Sequence, residues 1–277
     1  MISFPNAKIN IGLHVINQRD DGFHNIESVF YPTNFCDGLE IVTNKQFNKQ
    51  YKCQFVSQGL KIAGKAENNL IVKAYNYLDA NFGLPPVLVY LNKHIPMGAG
   101  LGGGSSDAAN ALMMLNQLFK LKLTNTQLAE FAAKLGSDCP FFIKNQPAYL
   151  FGKGEELSPI KVNLSGYYLI LVHNGSHSNT AMAYQHVQKR GVFKKEESVA
   201  YWIKKPVDTW KDNLFNDFEN SVFRTLPELA HIKQWLYQQG AVYAAMSGSG
   251  AALFGLFEKK PLLSGALKAH VVHQQLL

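Results

Sequence analysis

The sequence predicts a mixed α+β protein, and three observations lead to that class. Strand-like and helix-like segments follow one another without regular strand–helix–strand alternation, which argues against a doubly wound parallel sheet. Hydrophobic residues make up 47% of the chain and charged residues 17%, a globular composition rather than a disordered or fibrous one. A length of 277 residues suits one large domain or two smaller ones sharing an interface.

The elements follow in order. Near the start, Ala7, Ile9, Ile11, Leu13 and Val15 alternate with Lys8, Asn10, Gly12 and His14, the pattern of a strand with one buried and one polar face. Further strand-like pieces lie between residues 39 and 57, including 51–56. A helix is predicted from residue 68 or 69 to 82, with Leu70, Ala74, Tyr77 and Leu78 inward and Gly83 and Pro85 ending it. Residues 87–91 form a short apolar strand. After a glycine-rich stretch, Ala108, Ala111, Leu112, Leu115 and Leu118 line one face of a helix, with Ser105 or Ser106 as its N-cap. Thr124 and Gln127 stand at capping-box spacing for the next helix, and Gly136 closes it. Strands cover 148–151 and 167–172. The stretch 173–206 is polar and irregular, with a helix around 180–189. A helix over 227–239 and strands over 243–246 and 252–257 complete the pattern. A boundary near 155 divides the chain into 1–155 and 156–277, because the glycine-rich loop and its helices form one block before it.

Charge and cysteine usage narrow the classes. The 27 lysines and arginines exceed the 20 acids, a formal charge of +7 that fits either a nucleic-acid binder or polyanionic substrates such as nucleotides. The cations are scattered, with only Lys194-Lys195 and Lys204-Lys205 adjacent, and no aromatic–basic RNA signature occurs. No nucleic-acid partner is therefore expected. No apolar run approaches the roughly 18 residues of a membrane helix, and the start lacks the sections of a secretory signal. Three cysteines without a close pair point to neither a disulfide framework nor a zinc site. The expectation is a cytoplasmic, soluble protein, a monomer or weak homodimer, with no membrane partner and no dedicated metal ligand.

The stretch from Gly98 to Ser106 carries the most chemistry. Five glycines within seven residues feed a helix N-terminus, leaving backbone N–H groups free to face an anion, where the helix dipole adds positive potential. A mobile linker would not be bracketed by an apolar strand and a capped amphipathic helix. Gly98, Gly100 and Gly103 match G-x-G-x-x-G, but residues 119–125 offer no acid for a ribose, and the G-x-x-x-x-G-K-[ST] pattern is absent. Asp138 sits in Gly136-Ser137-Asp138-Cys139-Pro140, where a helix ends and proline blocks its continuation; alone it reads equally well as a turn aspartate bonding its own backbone. Lys8, on the polar face of its strand, alone reads as an ordinary solvated lysine. Ser247-Gly248-Ser249-Gly250 is a hairpin turn or a second loop that lets a substrate approach the backbone.

Together these pieces resemble a known family. Pro96-Met97-Gly98-Ala99-Gly100-Leu101-Gly102-Gly103-Gly104-Ser105-Ser106 is similar to the P-x-x-x-G-L-G-S/G-S-S ATP loop of the GHMP kinase superfamily. The resemblance extends through Pro5-Asn6-Ala7-Lys8-Ile9-Asn10, Arg19-Asp20-Asp21-Gly22-Phe23-His24, Asn69-Leu70-Ile71 and Gly136-Ser137-Asp138-Cys139-Pro140-Phe141-Phe142. It continues in Gly152-Lys153-Gly154-Glu155, Asn216-Asp217-Phe218-Glu219 and Met246-Ser247-Gly248-Ser249-Gly250, almost the whole chain in the family's order. It implies a ribosomal-protein-S5-like N-terminal domain and a ferredoxin-like C-terminal domain. Within the superfamily it points to the member that phosphorylates the 2-hydroxyl of a cytidine-diphosphate-linked methylerythritol in the non-mevalonate isoprenoid pathway, with ATP and Mg²⁺.

By position, the resemblance implies that Asp138 is the catalytic base and Lys8 its partner. Pro96, Gly98, Gly100, Leu101, Gly102, Gly103, Gly104, Ser105 and Ser106 would hold the ATP phosphates, and Asn69 and Lys93 lie where the family approaches the adenosine. Phe23 and His24 would hold the cytosine, with Tyr184 a second ring. Asn10, Thr180 and Gly248 would lie along the rest of the substrate. Phe23 stands where the family usually has tyrosine, and Ser137 and Cys139 where alanine and valine are commoner. Another alcohol kinase of the superfamily and a non-catalytic RNA-binding protein remain as alternatives.

Overall fold

Among the residues described by the computed structural model (1–44, 52–185, 187, 189–191 and 194–277), the chain forms three four-stranded sheets and eight α-helices. In chain order the strands are β1 (Ile2–Ser3), β2 (Asn6–Gln18), β3 (His24–Cys36), β4 (Gly38–Thr43), β5 (Cys53–Gly59) and β6 (Val87–Lys93), then β7 (Ala148–Phe151), β8 (Glu156–Pro159) and β9 (Tyr168–Val172), and finally β10 (Tyr243–Met246), β11 (Leu253–Phe257) and β12 (Val271–Leu276). The helices are α1 (Leu70–Phe82), α2 (Gly103–Leu118), α3 (Asn125–Ala133), α4 (Cys139–Lys144), α5 (Thr180–Gln185), α6 (Val199–Trp202), α7 (Glu219–Thr225) and α8 (Pro227–Gln238). The class is α+β, as expected.

Packing divides the chain into two units that interleave in sequence. The first comprises Met1–Ala7, Asn34–Met97 and Gly102–Gln146; the second comprises Lys8–Thr33, Gly98–Leu101 and Pro147–Leu277. A division by chain order and one by packing are thus different descriptions of this chain.

The first unit holds one sheet, ordered β1-β4-β6-β5, and helices α1 to α4. Only β5 runs parallel to its neighbour. Helix α1 begins where Asn69 Oδ1 accepts the Ile71 N–H at 2.9 Å and ends at Gly83, whose φ of +64° supplies the left-handed closure. Its buried face is Ile71, Val72, Ala74, Tyr75 and Leu78, one step round from the expected one. Leu70 and Tyr77 are half-buried instead, and Tyr77 sets its ring edge against Phe131 of α3 at 5.1 Å. Thr124 and Gln127 form the expected capping box, while α3 stops at Ala133, three residues short of Gly136.

Two expectations are corrected at the helix starts. Neither Ser105 nor Ser106 caps α2: the cap is Gly102 at φ +69°, and both serines fall inside the first turn. Nor does Pro140 merely block a helix, because it opens α4 at its second position, where its missing N–H is not needed.

The second unit holds sheets ordered β2-β3-β7-β8 and β10-β11-β9-β12, the latter antiparallel throughout. Strand β2 is buried on both faces from Asn6 to Val15, so its polar face is not solvated as expected. Polar partners inside the protein engage Lys8 and Asn10, as described below. Strand β11 is likewise buried at every position. Helix α5 starts at Thr180 as expected but ends at Gln185, with residues 187 and 189 of the predicted helix non-helical; residues 186 and 188, and Tyr51 of the predicted strand, lie outside the described residues. Strand β12, which the sequence did not reveal, pairs with β9 through a register shift between Val271 and His273. No helix among the described residues is long and apolar enough to cross a membrane.

Candidate active site

In the first unit the site is built on the start of α2. The first intrahelical bond is Ser106 N–H to Gly102 C=O at 2.9 Å, so the N–H groups of Gly103, Gly104 and Ser105 precede helical pairing. No side chain caps this end. Backbone donors and the positive end of a sixteen-residue helix therefore converge where a phosphate would sit. Gly104 is exposed, and a Cβ there would meet only Leu70 Cδ1, at 4.0 Å. Gly103 is different: a Cβ would come within 2.8 Å of Ile95 Cγ2.

Lys93 and Asn69 are engaged within the protein. Asn69 caps α1, and Lys93, 2% exposed, donates to Asp37 and, at 2.7 Å, to Asp107 Oδ2. Burial pushes the Asp107 carboxyl up to about 7; Lys93 opposes the shift and Asp37 adds to it. Asp37 and Asp107 belong to this cluster, and sequence reasoning missed both. The adjacency of Asp107 to the two serines was the available signal.

Asp138 lies half-buried at the turn between α3 and α4. Its side chain makes no capping bond to α4. Ser137 Oγ is 3.5 Å from Asp138 Oδ1. Next to it, burial pushes the Cys139 thiol up to about 11, with Ser105 as its hydrogen-bond partner.

The other predicted residues lie in the second unit. Lys8 is 3% exposed; its ammonium donates to Asn10 Oδ1 at 2.5 Å and lies 4.3 Å from the Phe30 ring centre. Asn10 Nδ2 donates to Ser28 Oγ at 2.8 Å, which donates to Gly12 C=O at 2.6 Å. The Asn10 N–H donates to Ser247 Oγ at 3.2 Å, and that hydroxyl donates to Gly100 C=O at 2.9 Å. The Lys8 N–H reaches Leu101 C=O at 2.9 Å. Thus the two small-residue loops of the sequence meet. At Gly100, φ +77°, a Cβ would come within 1.9 Å of Ser247 C=O, and at Gly248, φ +57°, within 3.2 Å of Gly100 Cα.

Asn216 fastens this junction, a role sequence reasoning did not assign. Its amide donates to Met246 C=O at 2.7 Å and Gly248 C=O at 2.8 Å, while its Oδ1 accepts from Phe218 N–H. Buried Glu219 accepts the Met246 N–H at 2.8 Å and Lys233 at 2.6 Å.

Aromatic residues form a separate group. Phe23, at the β2–β3 turn, is 60% exposed, with Lys153 Nζ 5.1 Å from its ring centre. His24 and Tyr184 stack at 4.7 Å and 24°, and Phe218 meets Tyr184 edge-on at 4.7 Å. Partial burial, reinforced by the Lys189 charge, lowers the His24 pKa. Exposed Thr180 shares a 2.8 Å hydrogen bond with Ser249.

Among the described residues no three His, Cys, Asp or Glu side chains gather as a metal site. Mg²⁺ held on a nucleotide needs only one or two protein oxygens beside phosphate and water. Ser106 Oγ, fully buried without a hydrogen-bond partner in the first turn of α2, is an oxygen of that kind.

The chain matches two families of known sequence: GHMP kinases N terminal domain over residues 69–153, and GHMP kinases C terminal over 203–270. It is 49% identical over 257 residues to the 4-diphosphocytidyl-2-C-methyl-D-erythritol kinase of Bacteroides fragilis (strain YCH46), covering 93% of this chain and 92% of the relative. The enzyme of the same name from Bacteroides thetaiotaomicron is 48% identical over 263 residues, covering 95% and 94%. A crystal structure of 4-(cytidine 5'-diphospho)-2C-methyl-D-erythritol kinase superposes with a TM-score of 0.77 at 30% identity, covering 92% of this chain and 90% of that one.

Proposed function

This chain belongs to the 4-diphosphocytidyl-2-C-methyl-D-erythritol kinases of the GHMP superfamily, and from that membership we propose how it transfers the γ-phosphoryl group of ATP to the 2-hydroxyl of that cytidyl alcohol. It is an ATP-dependent small-molecule kinase of the non-mevalonate route to isoprenoids. The observation that carries the assignment of parts is the uncapped start of α2, with three N–H donors ahead of helical pairing. Pro96, Gly98 and the backbone from Gly100 to Ser106 cradle the ATP phosphates, and Asn69 and Lys93 stand beneath the nucleotide.

Phosphoryl transfer asks the protein for positioning and charge stabilisation. Asp138 takes the proton from the 2-hydroxyl as that oxygen bonds to the γ-phosphorus, and the bond to the bridging oxygen breaks to release ADP. Lys8, the partner of Asp138 in this scheme, steadies the attacking oxygen. Its burial suits that role, since a buried ammonium demands compensating polar and anionic groups. Phe23 stacks on the cytosine, His24 and Tyr184 form the neighbouring wall, and Asn10, Thr180 and Gly248 flank the methylerythritol and its phosphates. Ser106 Oγ would be the protein's oxygen for a nucleotide-bound Mg²⁺, which would supply neutralisation of phosphate charge. The matched families at 69–153 and 203–270 lie on either side of the division into 1–155 and 156–277. The +7 charge, scattered rather than clustered, suits nucleotide substrates in the cytoplasm better than nucleic acid.

The test is ADP release with Mg·ATP and, in turn, the cytidyl alcohol, homoserine, galactose and mevalonate. Release should be stimulated by the first alone. Asp138→Asn should lower turnover about a thousandfold or more while ATP still binds; activity within a few-fold of wild type would remove Asp138 from the base role.

A further inference from the structure

Loop residues 96–102 run between two stems that the protein locks together from below. One stem is the end of β6 with its successors, Lys93 to Ile95; the other is the first turn of α2, Gly103 to Asp107. Lys93 Nζ donates to Asp37 Oδ2 and to Asp107 Oδ2, the latter at 2.7 Å, and all three side chains are at least 95% buried. Asp37 Oδ1 in turn accepts the N–H groups of His94 at 2.5 Å and Ile95 at 2.9 Å, and its own N–H donates to Pro5 C=O at 2.9 Å. Gly103 packs directly on this cluster, because a Cβ there would lie 3.0 Å from Lys93 Nζ and 2.8 Å from Ile95 Cγ2.

A buried ion cluster is a weak source of stability, because desolvation offsets most of its attraction. What it does supply is direction: two carboxylates around one ammonium admit few arrangements, and here each carboxylate carries a different stem. We propose that Asp107, acting through Lys93, is a positioning residue for ATP, setting the angle at which the N–H groups of Gly103, Gly104 and Ser105 meet the phosphates. The proposal rests on the assignment of the glycine-rich loop to ATP. Asp107 touches no substrate in this scheme; its effect travels through the salt bridge to the loop stem.

Two substitutions separate positioning from bulk stability. Asp107→Ala removes the tie while leaving Lys93 and Asp37 as a charge-balanced pair, so the buried site keeps no surplus charge. Asp107→Asn preserves size and an oxygen acceptor for Lys93. Titration with a fluorescent ATP analogue, steady-state KM for both substrates and a thermal melt are measured on each full-length variant. Asp107→Ala should weaken ATP binding about tenfold and raise the KM for ATP in step, with the KM for the cytidyl alcohol moved less than about twofold. Asp107→Asn should restore ATP affinity to within about twofold of wild type. A lowered melting temperature with unchanged ATP affinity would reduce Asp107 to a structural part and overturn the proposal, as would an equal loss for both substrates. If Asp107→Ala is insoluble, Asp107→Val fills the volume with apolar atoms and is read in the same way. Gly104→Val, which places bulk on the exposed face of the α2 start, serves as the separate control. Unchanged ATP affinity in that variant would overturn the loop assignment itself, independently of Asp107.

Discussion

In the stretch of residues 98–104 the glycines lead into a helix start that leaves its backbone donors open, whereas in residues 247–250 the turn is closed on itself and on its neighbours. Ser247 is fully buried, its N–H bonds to Ala252 C=O at 2.9 Å, and Gly250 N–H returns to Ser247 C=O at 3.0 Å. The carbonyls of Met246 and Gly248 are both taken by Asn216. Nothing comparable caps α2. Similar composition thus has two outcomes: one segment leads into a helix whose first N–H groups precede helical pairing, while the other turns its polar groups onto the protein to make a fixed wall. Gly100 is where they join, since it lies in the first segment by sequence but packs as part of the second turn.

The largest effect should come from attacking that joint. Gly100→Ala places a Cβ within 1.9 Å of Ser247 C=O and forces alanine into φ +77°, so unfolding should become easier by on the order of 3 kcal/mol. Gly104→Ala, in the open part, meets nothing closer than 4.0 Å and sits in a helix, so stability should stay within about 1 kcal/mol of wild type. Chemical denaturation of the pair checks this, and equal losses would break the distinction between an open and a closed segment.

A middle-sized effect belongs to the fastening of the closed turn. Asn216→Ala strips the donors from two buried carbonyls and should cost about 1–3 kcal/mol. Denaturant midpoints at constant m-value would show it. A loss below the error of the measurement would mean that the turn is held by its own backbone bonds rather than by Asn216.

The smallest effect is a control away from both segments. His24, stacked on Tyr184, has a pKa lowered by partial burial and then by the Lys189 charge. In the window between that lowered value and the ordinary 6.5, the unfolded chain binds more protons than the folded one, so stability rises with pH up to about 6.5 and is then flat for this group. The same protonation places a cation beside the proposed cytosine site, so the KM for the cytidyl alcohol should rise on acidification and that for ATP should not. Steady-state kinetics between pH 5.5 and 8, with His24→Gln as reference, reads it; parallel movement of both KM values would separate His24 from the cytosine.

Local signals that are complete within a few residues were legible. Asn69 and Gly83 bracket α1 because a side-chain acceptor and a left-handed closure are both local, and the Thr124–Gln127 capping box is local for the same reason. Ser105 and Ser106 misled because they are good capping residues, yet Gly102 in the left-handed region starts the helix earlier. Strand β12 was illegible because Val271–Leu276 is a half-exposed edge without apolar–polar alternation whose partner β9 lies about a hundred residues earlier. The polar face of β2 predicted solvent for Lys8, whereas the interior supplies Asn10 and Phe30.

By itself the sequence determined the α+β class, the glycine-rich loop ahead of a helix, and the family to which those motifs belong, because spacing, turn chemistry and capping act over a handful of residues. Only the tertiary structure decided which polar residues are internal. Lys93 became the centre of a buried cluster because Asp37, 56 residues before it, closes on it, and Asn216 became the clasp of the second turn because Met246 and Gly248, thirty residues on, turn their carbonyls toward it. Burial and long-range pairing are properties of distance in space, and a polar residue carries no mark in the sequence of whether water or another side chain will satisfy it.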